Sequence, residues 1–364
     1  MLEPIKTKSI LLFFVTMFVL CGCKKDPQEI FNEQKSGVVL ICNEFYYDIA
    51  LSSGSHIYFS GLDADGDFLN LTFDLPEIKK NPNILNGTGF FIDNTGRILT
   101  NRHVVAPEID KATVRQNLNA IIEGYAEYIE SLQDSMSQRY QAIQDYAQQS
   151  LFQDSMGDVY TTLDDDEIQM LRQEAESLEE QYSQAENIKE EVRSNILGYN
   201  FTIKLHSQFG VAYDGSNVNS WDDFMKNPCE LLQVSQDANS DLALLQLKSK
   251  VTPSGKYIFD YTQYDENADD NLKVNQTLYM IGYNHGVVLA KTNTGINAQF
   301  TSGTVTQNPD GNRIVYSIPA MEGSSGSPIV DEYGNLIAVN FAGSKGSDNF
   351  NFGIPMLRIL TFLK

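Results

Sequence analysis

The stretch Gly323-Ser-Ser-Gly-Ser-Pro328 sets three serines between glycines and a proline. Alone it reads as a turn, because Gly/Ser clusters before proline are ordinary loop chemistry. A nucleophilic serine needs more: a base, a group that orients the base, and a reason for the glycines. The residues after it, "IVDEYGNLIAVNF" (329–341), read as strand, turn and strand. Similar short apolar runs with turn punctuation occur at 37–42, 46–51, 56–62 and 71–75. They return at 199–205, 242–247, 277–283, 312–319 and 335–341. Many short strands with Gly, Asn and Asp turns predict a mainly β architecture, a barrel or sandwich.

Bulk composition narrows the function classes. The chain has 364 residues, 42% of them hydrophobic, enough for one large domain or two modest ones. Its formal net charge of −22 argues against binding a phosphate backbone, which takes clustered Lys and Arg. There is no Walker loop, no GxGxxG after a strand and no HExxH, so neither cofactor nor metal is expected. "DADGD" (63–67) reads as a hairpin turn, since its glycine falls too early for a calcium loop.

The N-terminus has the form of an export signal. Lys6 and Lys8 precede the apolar run "ILLFFVTMFVL" (10–20), too short to span a bilayer. "LCGC" (20–23) then resembles a bacterial lipobox, with residues 1–22 as signal and Cys23 as the lipid-bearing residue. That places the chain outside the cytoplasm, anchored to a membrane. Residues 23–36 are polar and read as a tether. Cys42 and Cys229 are left either to pair or to stand as buried thiols.

Residues 107–197 differ from the rest. Apolar residues step by three or four from Val114 through Leu118, Ile122, Tyr125, Ile129, Leu132, Met136 and Tyr140 to Ile143. A second series runs from Ile168 through Leu171, Ala175, Leu178, Tyr182, Ile188 and Val192 to Ile196. Two antiparallel helices inserted in a β domain are expected. The segment holds 20 acidic and 6 basic residues, so −14 of the −22 lies here. A solvated spacer, a cover over a cleft and an arm that binds a protein partner all remain open.

Two more residues complete a constellation. His103 closes "GTGFFIDNTGRILTNRHVV" (87–105), at the end of a strand. Asp241 opens "SDLALLQL" (240–247). Each alone reads as an ordinary polar position. Together they stand in the order His, Asp, Ser, which differs from the orders used by subtilisin-like and α/β-hydrolase enzymes.

With these segments, "QFTSGTV" (299–305) and "FGIPM" (352–356), the chain resembles the trypsin-like serine proteases. It is most similar to bacterial secreted members of the Deg type and, at "GSSGSP", to glutamyl endopeptidases. The resemblance implies a double β-barrel, with a first lobe from residues 37–106 and 198–250 and a second from 251–364. The helical segment 107–197 interrupts the first lobe. It implies His103, Asp241 and Ser325 as the catalytic triad of an endopeptidase acting on polypeptides through an acyl-enzyme. The backbone N–H groups of Gly323 and Ser325 would form the oxyanion hole. It also implies that Pro319 and the strand Asn340, Phe341, Ala342 and Gly343 contact substrate. Pro319 stands where trypsin-like members keep an Asp for basic side chains. Asn340 stands where glutamyl endopeptidases have a His that reads an acidic one. An uncharged pocket for small or apolar side chains follows. The end of the chain after residue 364 leaves no room for a PDZ domain, and no zymogen-type Ile/Val N-terminus is evident. The alternative is a trypsin-fold lipoprotein with a silent triad, acting through its helical insertion.

Overall fold

The computed structural model describes residues 24–198, 200–237, 240–262, 271–343 and 350–364. The export signal and the Cys23 lipidation site lie outside the described residues. No described helix is long and apolar enough to cross a membrane.

The first β unit is a closed six-stranded barrel. Its strands are β1 (Val38–Ala50), β2 (Asn83–Phe91), β3 (Arg97–Thr100), β4 (Ile203–Tyr213), β5 (Pro228–Val234) and β6 (Ala243–Leu247). They are joined in the order β1-β2-β3-β6-β5-β4, and β4 returns to β1 with Val39 opposite Tyr213. The short strand His56–Phe59 extends the far end of β1. β1 explains the unbroken run Val38-Val-Leu-Ile-Cys42. Successive side chains on a strand point to opposite faces. Val39 and Ile41 enter the core of this barrel. Val38, Leu40 and Cys42 enter a second core that also takes Tyr279, Ile281, Val330 and Val339 from the other lobe. Further along, Phe45, Tyr47 and Ile49 enter a third core against the base of the helical insertion.

The second unit holds β7 (Thr277–Gly282), β8 (Gln299–Thr304), β9 (Ile314–Tyr316), β10 (Pro328–Val330), β11 (Leu336–Gly343) and β12 (Asn351–Pro355). Their order is β8-β7-β10-β11-β12-β9. A bridge between Val305 and Tyr316 brings the two ends of this sheet together. The fold is therefore mainly β, with two barrel-like lobes, as the sequence predicts.

Helices decorate this frame. α1 (Pro27–Gln34) precedes β1, α2 (Arg102–Val105) follows β3, and α3 (Lys111–Gln149) and α4 (Asp165–Ser194) form the insertion. At 1.5 Å per residue α3 is about 58 Å long. The Asp164 carboxylate caps α4, and Glu167 completes a capping box. A two-stranded ribbon, Leu151–Gln153 with Val159–Thr161, joins the helices at the tip. Val114, Leu118 and Ile122 pack the base of α3 into the barrel.

The structure departs from the sequence reading at four places. The expected polar tether is the helix α1, whose Ile30 is fully buried. Asp26 caps it and Pro27 opens it. The Gln34 Nε2 donates to Gly334 O at 2.7 Å, which docks the helix on the second lobe. "LTFDL" is no strand of either barrel. Pro76, at the first turn of the helix Leu75–Lys80, ends extended pairing there. The insertion buries a narrower stripe than expected. Tyr125, Leu132, Tyr182, Ile188 and Ile196 are exposed, because a helix pair offers one facing seam, and Ala126, Gln133, Ala185 and Lys189 occupy it. Last, α5 (Met356–Leu363) ends the chain, with Met356, Ile359 and Phe362 in the shared core.

Cys42 and Cys229 are free, buried thiols that enter different cores. Burial pushes each thiol up to about 12.

Candidate active site

His103 lies on α2, a single turn at the end of β3. Buried Val104 and Val105 anchor that turn in the barrel core. The Asn43 amide holds it too, donating to Val104 O at 3.0 Å. His103 is left on the surface of the turn, its side chain 43% exposed.

Asp241 precedes β6 and grips this turn from the side. Its Oδ1 accepts the backbone N–H of His103 at 3.0 Å, and its Oδ2 is hydrogen-bonded to His103 Nδ1. Its carbonyl accepts from Asn101 Nδ2 at 2.8 Å and from Arg102 N at 3.2 Å. Fully buried Leu242 fixes the strand behind it. With Nδ1 engaged by a carboxylate, the ring presents Nε2 as the nitrogen able to accept a proton.

The serine turn crosses from the second lobe to the first. Ser325 O accepts from Thr88 N at 2.8 Å, and Gly323 O accepts from Thr88 Oγ1, also at 2.8 Å. Thr88 lies on β2, and its carbonyl accepts from Thr100 Oγ1 at 2.7 Å. Thr100 is three residues from His103, so these bonds carry the serine turn to the histidine turn. The two glycines permit this approach. Gly323 and Gly326 have φ of +89° and +87°, a region that side chains disfavour. A Cβ at Gly326 would stand 2.1 Å from Thr88 O and 2.4 Å from Thr100 Oγ1. A Cβ at Gly323 would meet Tyr283 O and Gly286 N, each at 2.5 Å.

The backbone N–H groups of Gly323 and Ser325 make no hydrogen bond to a described residue. Their directions are nonetheless fixed. In a trans peptide the N–H points away from the preceding carbonyl. The carbonyl before Gly323 belongs to Glu322 and accepts from His285 N at 2.5 Å. His285 itself sits at φ +56°, unusual for a residue with a side chain. The carbonyl before Ser325 belongs to Ser324 and accepts from Ser327 N at 3.0 Å and Asn340 Nδ2 at 2.9 Å.

The residues expected to contact substrate are placed differently from one another. Pro319 is exposed. Asn340 is 1% exposed, and its amide is taken by Ser324 and by Tyr316. Phe341 is half-buried at a bulge between β11 and β12. The pairing of β11 with β10 stops at Val339, so the backbone of Phe341, Ala342 and Gly343 has no strand partner on that side among the described residues. Reading the sequence missed Thr88 and the Tyr283–Gly286 turn. The only signal for Thr88 was its place between Gly87 and Gly89.

No curated protein matches the chain. Among solved structures, it superposes on the serine endoprotease from Yersinia pestis with a TM-score of 0.41 and 11% identity. That superposition covers 93% of this chain and 65% of the other, less than two thirds of its length, and is too loose to carry an argument. The family match is more direct. Residues 214–339 match the trypsin-like peptidase domain. The matched span starts downstream of the helical insertion, so it takes in Asp241 and Ser325 while His103 lies before it. Within a mainly β chain that two long helices interrupt, residues 214–339 are thus similar to a trypsin-like peptidase domain.

Proposed function

We propose that the chain is a serine endopeptidase that cleaves polypeptides through an acyl-enzyme. The observation that carries this reading is the double grip of Asp241 on His103, at the ring Nδ1 and at the backbone N–H. A carboxylate so placed holds the tautomer whose Nε2 accepts a proton, and it stabilises the imidazolium that forms. His103 would take the Ser325 proton as Oγ attacks the scissile carbonyl, then return it to the leaving amine. Water would hydrolyse the acyl-enzyme with the same base. The Gly323 and Ser325 N–H groups would receive the charge that develops on the carbonyl oxygen. Substrate backbone would add along this edge of Phe341–Gly343.

The side chain before the cleaved bond is proposed to be small or apolar. Pro319 supplies no carboxylate, and the Asn340 amide is already engaged. A cleavage profile dominated by Lys, Arg or Glu at that position would contradict this. We further propose that Cys23 carries a lipid, that the domain faces the exterior of a bacterial membrane, and that the insertion receives a protein partner.

The decisive test is covalent labelling by a fluorophosphonate. The wild-type chain is expected to label at Ser325, and Ser325→Ala to abolish labelling and lower turnover by on the order of 10⁶. A chain that stays unlabelled, with or without its insertion, would instead be a binding lipoprotein with a silent triad.

A further inference from the structure

The position expected to read the substrate side chain is occupied by an asparagine that faces the other way. Asn340 Nδ2 donates to Ser324 O at 2.9 Å and lies 3.2 Å from Ser324 Oγ. Its Oδ1 accepts from the Tyr316 hydroxyl at 2.8 Å. Tyr316 and Asn340 are both buried, and that hydroxyl also lies 2.9 Å from Phe352 O. The Ser324 carbonyl, which can only accept, fixes which way the amide points. A flipped amide would set Oδ1 against Ser324 O, two acceptors facing each other. Ser324 is itself 2% exposed, and its Oγ donates to Met321 O at 2.6 Å. The Tyr316–Asn340–Ser324 chain therefore ends on the carbonyl of the peptide whose N–H belongs to Ser325.

We propose that Asn340 is a positioning residue for the reaction: by holding Ser324 O it aims the Ser325 N–H at the oxyanion. This rests on the serine-peptidase reading above. It assigns no contact with substrate to the Asn340 side chain. Its consequence is a division of labour across β11. The backbone beyond Asn340 is free for substrate, while the Asn340 side chain turns inward and serves the nucleophile turn. Selection among substrate side chains then falls to other residues of the cleft.

The test uses the full chain with three substitutions: Asn340→Ala, Asn340→Asp and Tyr316→Phe. Loss of the amide donor is expected to slow fluorophosphonate labelling and lower kcat by roughly 10- to 100-fold, because Ser327 N still holds the carbonyl and a small misalignment remains. KM for a peptide substrate is expected to stay within about twofold. Tyr316→Phe should act in the same direction and more weakly. Asn340→Asp supplies the rescue. Its ionised carboxylate cannot donate to Ser324 O, but the protonated acid can. Burial favours the neutral acid, so labelling relative to wild type at the same pH should recover as pH falls toward about 5. Hydrogen exchange of the 321–327 amides gives a readout independent of activity, and exchange should speed up in Asn340→Ala. Unchanged kcat and exchange, or a raised KM with altered side-chain preference, would overturn the proposal. If Asn340→Ala does not fold, Tyr316→Phe and Asn340→Asp carry the same comparison. An unlabelled wild-type chain would defeat the peptidase reading, and the exchange arm would still decide whether Asn340 holds the turn.

Discussion

Replacing Thr88 by valine should both loosen the lobes and disarm the serine turn. Thr88 is fully buried on β2. Its hydroxyl donates to Gly323 O at 2.8 Å and accepts from Tyr283 N at 3.0 Å. Valine keeps the branched shape and the strand preference, so packing changes little. What it removes is one hydroxyl with two partners. Gly323 and Tyr283 are buried, so both partners lose a bond that water cannot replace. A buried polar group left unpaired costs about 1–3 kcal/mol, which gives about 2–6 kcal/mol for the pair. At roughly 2–4 °C per kcal/mol for domains of about 200 residues, the melting temperature should fall by roughly 4–24 °C. Fluorophosphonate labelling below that temperature should slow at least tenfold, because Gly323 then keeps only its contacts within the second lobe. Thr88→Ser retains the hydroxyl and should lose much less on both counts. The assay pairs calorimetry with labelling rates for the three chains. A Thr88→Val chain that melts and labels like wild type would refute the claim that this hydroxyl couples the lobes.

Further outcomes follow from the same geometry. Asp241→Asn should keep the fold and lower kcat by about 10⁴, since the amide favours the wrong imidazole tautomer; full activity in steady-state assays would remove Asp241 from the proposed triad. Native Cys42 and Cys229 thiols are pushed up to about 12 by burial, while unfolded thiols ionise near 9.0. Their contribution to stability is thus complete below about pH 9 and is lost as pH rises toward 12. Urea midpoints should be flat from pH 7 to 9 and fall above it. Rapid reaction of native thiols with a disulfide reagent at pH 8 would contradict this. Replacing residues 127–188 by a short Gly-Ser turn should leave stability nearly unchanged. Removing 111–196 should uncover Phe45, Tyr47, Ile49 and Phe59, at roughly 1.5–3 kcal/mol for each side chain fully exposed. Equal unfolding midpoints for the two deletions would refute the docking of the insertion's base.

Much of the architecture was legible because it follows local periodicity. Short apolar runs bounded by turn residues, such as Leu242–Leu247 and Thr277–Gly282, became strands, and the stepped runs after Asp110 and Asp164 became capped helices. The meeting of His103 with Asp241 was legible by the order and flanking strands of the two segments. Other features depend on partners far away in the chain. α1 looked like a tether because five of its eight residues are Gln, Asn or Glu. Its buried Ile30 and Gln34 have meaning only against residues far along the chain, Gly334 among them. Asn340 was read by position as a substrate contact. Its actual partner, Tyr316, is a buried side chain 24 residues away that no pattern near Asn340 announces. Thr88 resembles any strand threonine until the serine turn is laid against it. In a helix pair, spacing alone cannot tell Tyr125 from Ala126, because both lie near one apolar face and only the partner helix selects between them.

The docking of α1 also imposes an order in time. Gln34 and Gly334, which bond in the finished molecule, are 300 residues apart. At about 5–20 residues per second, a ribosome needs roughly 15–60 s to supply the second after the first. Throughout that interval Ile30 and its helix have no surface to occupy. β1 begins four residues after α1 and lacks its partner β4 until residue 213 has been made. α1 and the apolar strand β1 are therefore both made well before their partners and must wait for both closures. The first barrel can close once β4 to β6 arrive. The N-terminal helix locks down last, onto a lobe that is itself among the final parts to be made.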